Sequence, residues 1–143
     1  MASDLNFKVM NGVHRVAMKL SFGLLGKKLL GMPVLELTTI GRKSGLERAT
    51  MLTSPLQEGD AYYVVASRGG DDKAPAWLLN LEANPEVKVS IQGGPTKPWR
   101  ARVLSSEERA KVWPKVTADH ANYAGYQTKT EREIPLVLLS PTS

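Results

Sequence analysis

The chain has 143 residues, enough for one domain that buries its own core without staples. It has no cysteine, which excludes disulfides, thiolate nucleophiles and cysteine-bound zinc together. The formal net charge of +5 favours anionic partners: phosphorylated cofactors, nucleic acid or acidic lipid.

The first 32 residues read as an amphipathic helical segment. Val13, Val16, Ala17, Leu20 and Leu24 form an apolar stripe of helical spacing, while Lys8, Asn11, Arg15 and Lys19 fall largely on the other face. Pro33 should stop it. The stripe either packs on the domain or lets residues 5–30 lie on an anionic membrane, a reading favoured by Lys27 and Lys28 among Leu24, Leu25, Leu29 and Leu30. No apolar run reaches the ~18 residues of a membrane span. The opening "MASDLNFKVMNG" lacks the marks of a signal peptide. A cytoplasmic location is expected, with membrane association as the variant.

From residue 33 to 143 a single domain follows. Strands are predicted at 33–40, 47–57 and 61–67, and the glycine-rich loop "RGGDDKAP" leads to a short helix over 76–84. The stretches 86–92 and 99–105 alternate apolar and polar residues, the pattern of strands buried on one face. Ser105 and Glu108 are spaced as a capping box, and Pro114 should kink or restart the helix they begin. A tyrosine-bearing segment over 119–133 precedes a last strand at 134–140. This is an α+β, mainly β chain of about six strands. Its order excludes strict βαβ alternation and fits a mostly antiparallel, barrel-like sheet with helices packed outside.

No GxGxxG follows a strand, "GRKS" lacks the first glycine of a P-loop, and neither HExxH nor GxSxG occurs. With only two histidines, His14 and His120, no metal site is expected. Three stretches remain. In "TTIGRKSGLER" (38–48), Arg42, Lys43 and Arg48 sit between and beside Gly41 and Gly45. Such a loop is either a solvated hairpin tip or an anion grip of backbone N–H groups and cations. In "VVASRGGDDKAPAWLLNLEANP" (64–85), a strand ends at Ser67 and Arg68, and Gly69 and Gly70 let the backbone approach a flat ligand. Trp77 and Asn80 share a face of the helix after it. In "HANYAGYQTKTERE" (120–133), Tyr123 and Tyr126 present hydroxyls three residues apart. They are either half-buried structural tyrosines or donors to a developing oxyanion.

Taken in order with their gaps, these three stretches resemble the deazaflavin-dependent nitroreductase family, oxidoreductases of actinobacteria that use coenzyme F420. The resemblance covers residues 33–141. It implies a split β-barrel like that of FMN-binding proteins, with F420 rather than FMN as cofactor. By motif position, Arg42, Lys43, Ser44, Gly45 and Arg48 would hold the phosphate and oligoglutamate tail. Thr50, Met51 and Thr53 would line the ring. Ala66, Ser67, Arg68, Gly69 and Gly70 would contact the deazaflavin head, with Trp77 and Asn80 completing the wall. Tyr126 would be the catalytic donor, Tyr123 would orient the substrate, and His120 would stand at the rim. Nitroreductase members carry an aromatic residue where this chain has Thr53, and a further tyrosine where it has His120.

The expected activity is hydride transfer from reduced F420 to an electron-poor enone, an unsaturated coumarin-type lactone or a quinone, in a monomer or homodimer with no nucleic-acid partner. The alternatives are a non-catalytic flavin-, deazaflavin- or haem-binding barrel, and a basic membrane-surface module.

Overall fold

The computed structural model describes residues 28–29 and 32–142. Strands β1 (Lys28–Leu29), β2 (Met32–Ile40), β3 (Glu47–Thr53), β4 (Leu56–Glu58) and β5 (Ala61–Val65) come first. Helix α1 (Ala76–Ala83), strands β6 (Glu86–Ile91) and β7 (Lys97–Val103), helices α2 (Ser106–Asp119) and α3 (Ala121–Thr128), and strand β8 (Leu136–Pro141) follow. The sheet order is β1-β2-β6-β7-β8-β5-β4, with β3 also on β2, and every pair is antiparallel. This is the barrel-like sheet with packed helices that the order of elements predicts.

Two strands are added to the expected six. Lys28–Leu29 pairs with Met32 and Pro33, so the segment read as helix through residue 32 is strand at that point. The helical stripe itself, and most of the proposed membrane-facing stretch, lie outside the described residues. The other addition comes from dividing the expected strand 47–57 at Ser54 and Pro55. Pro55 has no N–H to give a ladder, and the chain turns there from β3 to β4.

That turn closes the barrel. β3 and β4 are neighbours in sequence but stand at opposite ends of the strand order. Buried Ser54 spans the gap: its N–H donates to the Pro33 carbonyl (3.0 Å), and its hydroxyl lies within donating distance of the Tyr63 (2.7 Å) and Leu56 (3.0 Å) carbonyls.

Strand alternation produces two cores. Leu35, Leu37, Val64, Val89, Val137 and Leu139 point into the barrel, where Leu78 and Leu81 of α1 join them. Tyr63, Val65 and Leu136 point outward and are covered by Val116 of α2 and Tyr123 of α3. The capping box at the start of α2 forms, with the Glu108 N–H on Ser105 Oγ (3.2 Å) and the Ser105 N–H on Glu108 Oε1 (3.1 Å). Pro114 does not restart the helix, which is one element from Ser106 to Asp119. Pro114 and Ala110 both lie on the exposed side, so the carbonyl that proline leaves unbonded faces water.

Ser54→Ala is expected to destabilise the fold by about 1–2 kcal/mol, because buried carbonyls lose their donor. A urea denaturation series checks this; an unchanged midpoint would remove Ser54 from the closure.

Candidate functional site

The loop 41–46 joins β2 to β3, with Ile40 opposite Glu47 at its base. It is bonded internally: the Gly41 N–H to the Leu46 carbonyl (2.8 Å), the Gly45 N–H to the Gly41 carbonyl (2.8 Å) and the Leu46 N–H to Ser44 Oγ (3.2 Å). A side chain at Gly41 would collide with the Ser44 hydroxyl, so glycine is what lets the loop fold on itself. Buried Asn80 of α1 fixes the loop from below. Its Oδ1 accepts from the Arg42 N–H (3.1 Å) and guanidinium (3.4 Å), and its Nδ2 donates to Thr39 Oγ1 (3.1 Å).

What remains free is positive. Among the described residues the N–H groups of Lys43 and Ser44 have no partner, and Arg42, Lys43 and Arg48 have no carboxylate partner. The nearest acid in sequence, Glu47, is engaged by Lys88 at 3.2 Å. These cations border a cavity of about 410 Å³ whose other walls include Thr50, Trp77 and Asn80. Thr39, Gly41, Ala49 and Ala76 also line it and were not singled out from the sequence. Gly45 does not line it; it shapes the loop at φ 72°.

Alternation along β3 divides the three residues expected to line a ring. Thr50 faces the cavity with Arg48, and Leu52 on the same face packs on the barrel core. Met51 and Thr53 turn to the other face, where Thr53 Oγ1 lies 3.3 Å from the Tyr123 hydroxyl. From Arg48 to Thr53 the strand spans roughly 17 Å at the usual rise per residue. The strand therefore carries the cationic cavity at one end and meets an aromatic cluster at the other, on opposite faces.

At the aromatic end the rings of Tyr123 and Tyr126 meet edge to face at 5.9 Å, with His120 against Tyr123 at 6.4 Å. The two tyrosines differ. Tyr123 is buried and its hydroxyl reaches Thr53 and Met32 Sδ (3.7 Å); desolvation pushes its pKa above the ordinary 10.0. Tyr126 is half-buried under the Lys129 ammonium (5.6 Å), and its hydroxyl has no partner among the described residues.

The turn after β5 lies against this helix. Arg68–Gly70 forms one 3-10 turn, with the Gly70 N–H on the Ser67 carbonyl (2.9 Å). Arg68 adopts φ 46°, a strained value for a non-glycine residue. Gly70 has φ 85°, and a Cβ there would lie 2.8 Å from the Tyr126 carbonyl oxygen. The Ala66 side chain is sealed in the barrel core and Ser67 is nearly buried, so this turn can offer a ligand its backbone and the Arg68 side chain. No cluster of three or more metal-ligating side chains occurs among the described residues.

Gly70→Ala is expected to lower stability by about 1–3 kcal/mol through strain and the clash with α3. A melting-temperature comparison checks this, and equal values would mean that the turn yields. The raised Tyr123 pKa carries a sign: in the unfolded chain this phenol ionises first, so its contribution to stability is intact below pH ~10 and is lost as pH rises above that value. Unfolding titrations of wild type and Tyr123→Phe should therefore diverge in slope only on the alkaline side.

A family profile described as F420H(2)-dependent quinone reductase matches residues 12–141. The F420H(2)-dependent quinone reductase Rv1261c of Mycobacterium tuberculosis is 39% identical over 124 residues, covering 82% of this chain and 80% of that protein. A solved F420-H2-dependent reductase, FDR-A, superposes with TM-score 0.65 at 41% identity, over 76% of this chain and 94% of its own. A second structure, described as a domain-swapped dimer, has TM-score 0.66 at 36% identity over 90% and 99%. The matching profile is named for quinone reduction, whereas the motifs resemble the nitroreductase pattern; both are F420-dependent reductases.

Proposed function

Because this chain belongs to the F420H(2)-dependent quinone reductase family and is an F420-dependent oxidoreductase, we propose that it reduces a quinone at the aromatic end of β3 while holding the cofactor's phosphate and tail at the cationic end. Electron-poor enones and unsaturated lactones, which present the same carbonyl oxygen to a donor, belong to the substrate range. The observation that carries this reading is the set of cations that, among the described residues, have no carboxylate partner, bordering a cavity one strand's length from the tyrosine pair.

The residues fit the cofactor. A phosphate with an oligoglutamate tail needs several cations and free N–H donors at one place; Arg42, Lys43, Arg48 and the Lys43 and Ser44 N–H groups supply them. Asn80 keeps Arg42 in place before any ligand arrives. The backbone of Ser67, Arg68, Gly69 and Gly70 supports the flat head, with Thr50 and Trp77 along the way.

Bound reduced F420 supplies a hydride. The protein binds, orients and provides a proton. A quinone or enone receiving a hydride develops negative charge on its carbonyl oxygen, and Tyr126, whose hydroxyl has no partner among the described residues, donates to that oxygen. The Lys129 ammonium lies over its ring, 5.6 Å from the centroid, and helps hold the ring in place. Tyr123 is the wrong donor: it is buried and engaged, and it holds the Tyr126 ring edge-on. His120 and Thr53 border the same end and shape what enters. A homodimer is the proposed assembly, in line with the domain-swapped relative.

Lys43→Ala should weaken F420 binding by about 1.5–3 kcal/mol, the scale of a charge-assisted hydrogen bond. Fluorescence titration measures it, and an unchanged dissociation constant would take Lys43 out of the site. Tyr126→Phe should cut quinone turnover by about 100-fold, the scale of a lost proton donor, while F420 affinity stays within a factor of two or so. Lost affinity with retained turnover would make Tyr126 a cofactor wall instead.

A further inference from the structure

Segment 129–135 between α3 and β8 has no regular structure, yet it is bonded inward at almost every step. Arg132 reaches across to the turn after β5 and donates to three of its carbonyls: Nε to Asp71 (2.8 Å), and one terminal nitrogen to Ser67 (2.9 Å) and Ala66 (3.1 Å). Thr130 adds a second strap, its hydroxyl donating to Asp72 Oδ1 at 2.7 Å. Gln127 of α3 secures the segment from behind: its Nε2 donates to the Arg132 carbonyl (2.7 Å), and its Oε1 accepts from the Ile134 N–H (2.9 Å) and the Arg109 guanidinium (2.8 Å).

A guanidinium ordinarily seeks a carboxylate or phosphate. Arg132 makes no ion pair among the described residues, although Asp71 and Asp72 are close in the fold. It directs its fork at carbonyl oxygens on both sides of the 3-10 turn. Those oxygens are thereby occupied by the guanidinium. The strain at Arg68 and the left-handed Gly70 need such an external restraint to persist. We infer that Arg132 is a positioning residue, which holds the 66–71 turn in the shape that receives the deazaflavin head and locks that turn to the helix carrying the catalytic tyrosine. The inference rests on the reading that this turn meets the head.

The test uses Arg132→Lys and Arg132→Gln with two probes, whole F420 and its deazaflavin chromophore stripped of phosphate and tail. Both variants should exchange the Gly70 and Asp71 amide protons about tenfold faster, with Val64 unchanged. Affinity for the stripped chromophore should fall about tenfold and affinity for whole F420 by only about twofold, since the loop still holds its tail. Turnover should fall about tenfold at constant quinone KM. Lysine should rescue little, because one ammonium cannot span three carbonyls. Unchanged exchange and unchanged chromophore affinity overturn the inference, and so does faster exchange at Val64 in step with Gly70, which would make Arg132 a general structural residue. Should both variants fail to fold, Thr130→Val cuts the second strap alone and should speed Gly70 and Asp71 exchange about threefold; no change there also overturns it. If wild-type protein binds no F420, the cofactor reading fails first, and this inference fails with it.

Discussion

The strand pair β5–β8 is dry on both faces, and that constraint organises the molecule. Val64 and Val137 are sealed inside the barrel while Tyr63 and Leu136, one residue along each strand, are sealed outside it. A sheet buried on both faces must be covered on both, so α1 caps the interior and α2 with α3 blankets the exterior. The chain leaving β5 therefore emerges between the two coverings. The glycine turn and the helix of the tyrosines meet there.

Charge is distributed to match. Over the surface, some cations are matched to acids: Lys88 with Glu47, Arg100 with Glu86, Arg102 with Glu108 and Lys115 with Glu58. Such exposed pairs contribute little individually, but they cancel local potential. Arg42, Lys43 and Arg48 have no carboxylate partner among the described residues, so their positive charge is concentrated at one loop, as the proposed grip on an anionic tail requires.

Much of this is legible in the sequence because it is local. Alternation at 86–92, the Ser105/Glu108 spacing, and the glycines bracketing Arg42 and Lys43 all act within a few residues, and motifs record them. The parts that are not legible act at long range or at short length. A two-residue strand such as Lys28–Leu29 has no period to read. The division at Ser54 is hidden because its reason lies in carbonyls of β2 and β5. Asn80 shows in the sequence as a neighbour of Trp77, but its task is to face inward and hold Arg42. Arg132 looks like one more charge in a polar run, since carbonyl oxygens brought to it from more than sixty positions away leave no mark on the residues around it.

The absent side chain at Gly70 has a consequence for how such a site can diversify. With the Tyr126 carbonyl so close, the turn and α3 have no slack between them. The helix cannot slide or tilt without dragging the 66–71 turn along, and with it the seat that the proposed reading gives the cofactor. On the proposed reading, new substrate preferences would come from exchanging side chains that stand on this frame, at positions such as His120 and Thr53, while the frame itself is inherited unchanged. A laboratory effort to widen the acceptor range would do best to randomise those positions and leave the backbone contact alone.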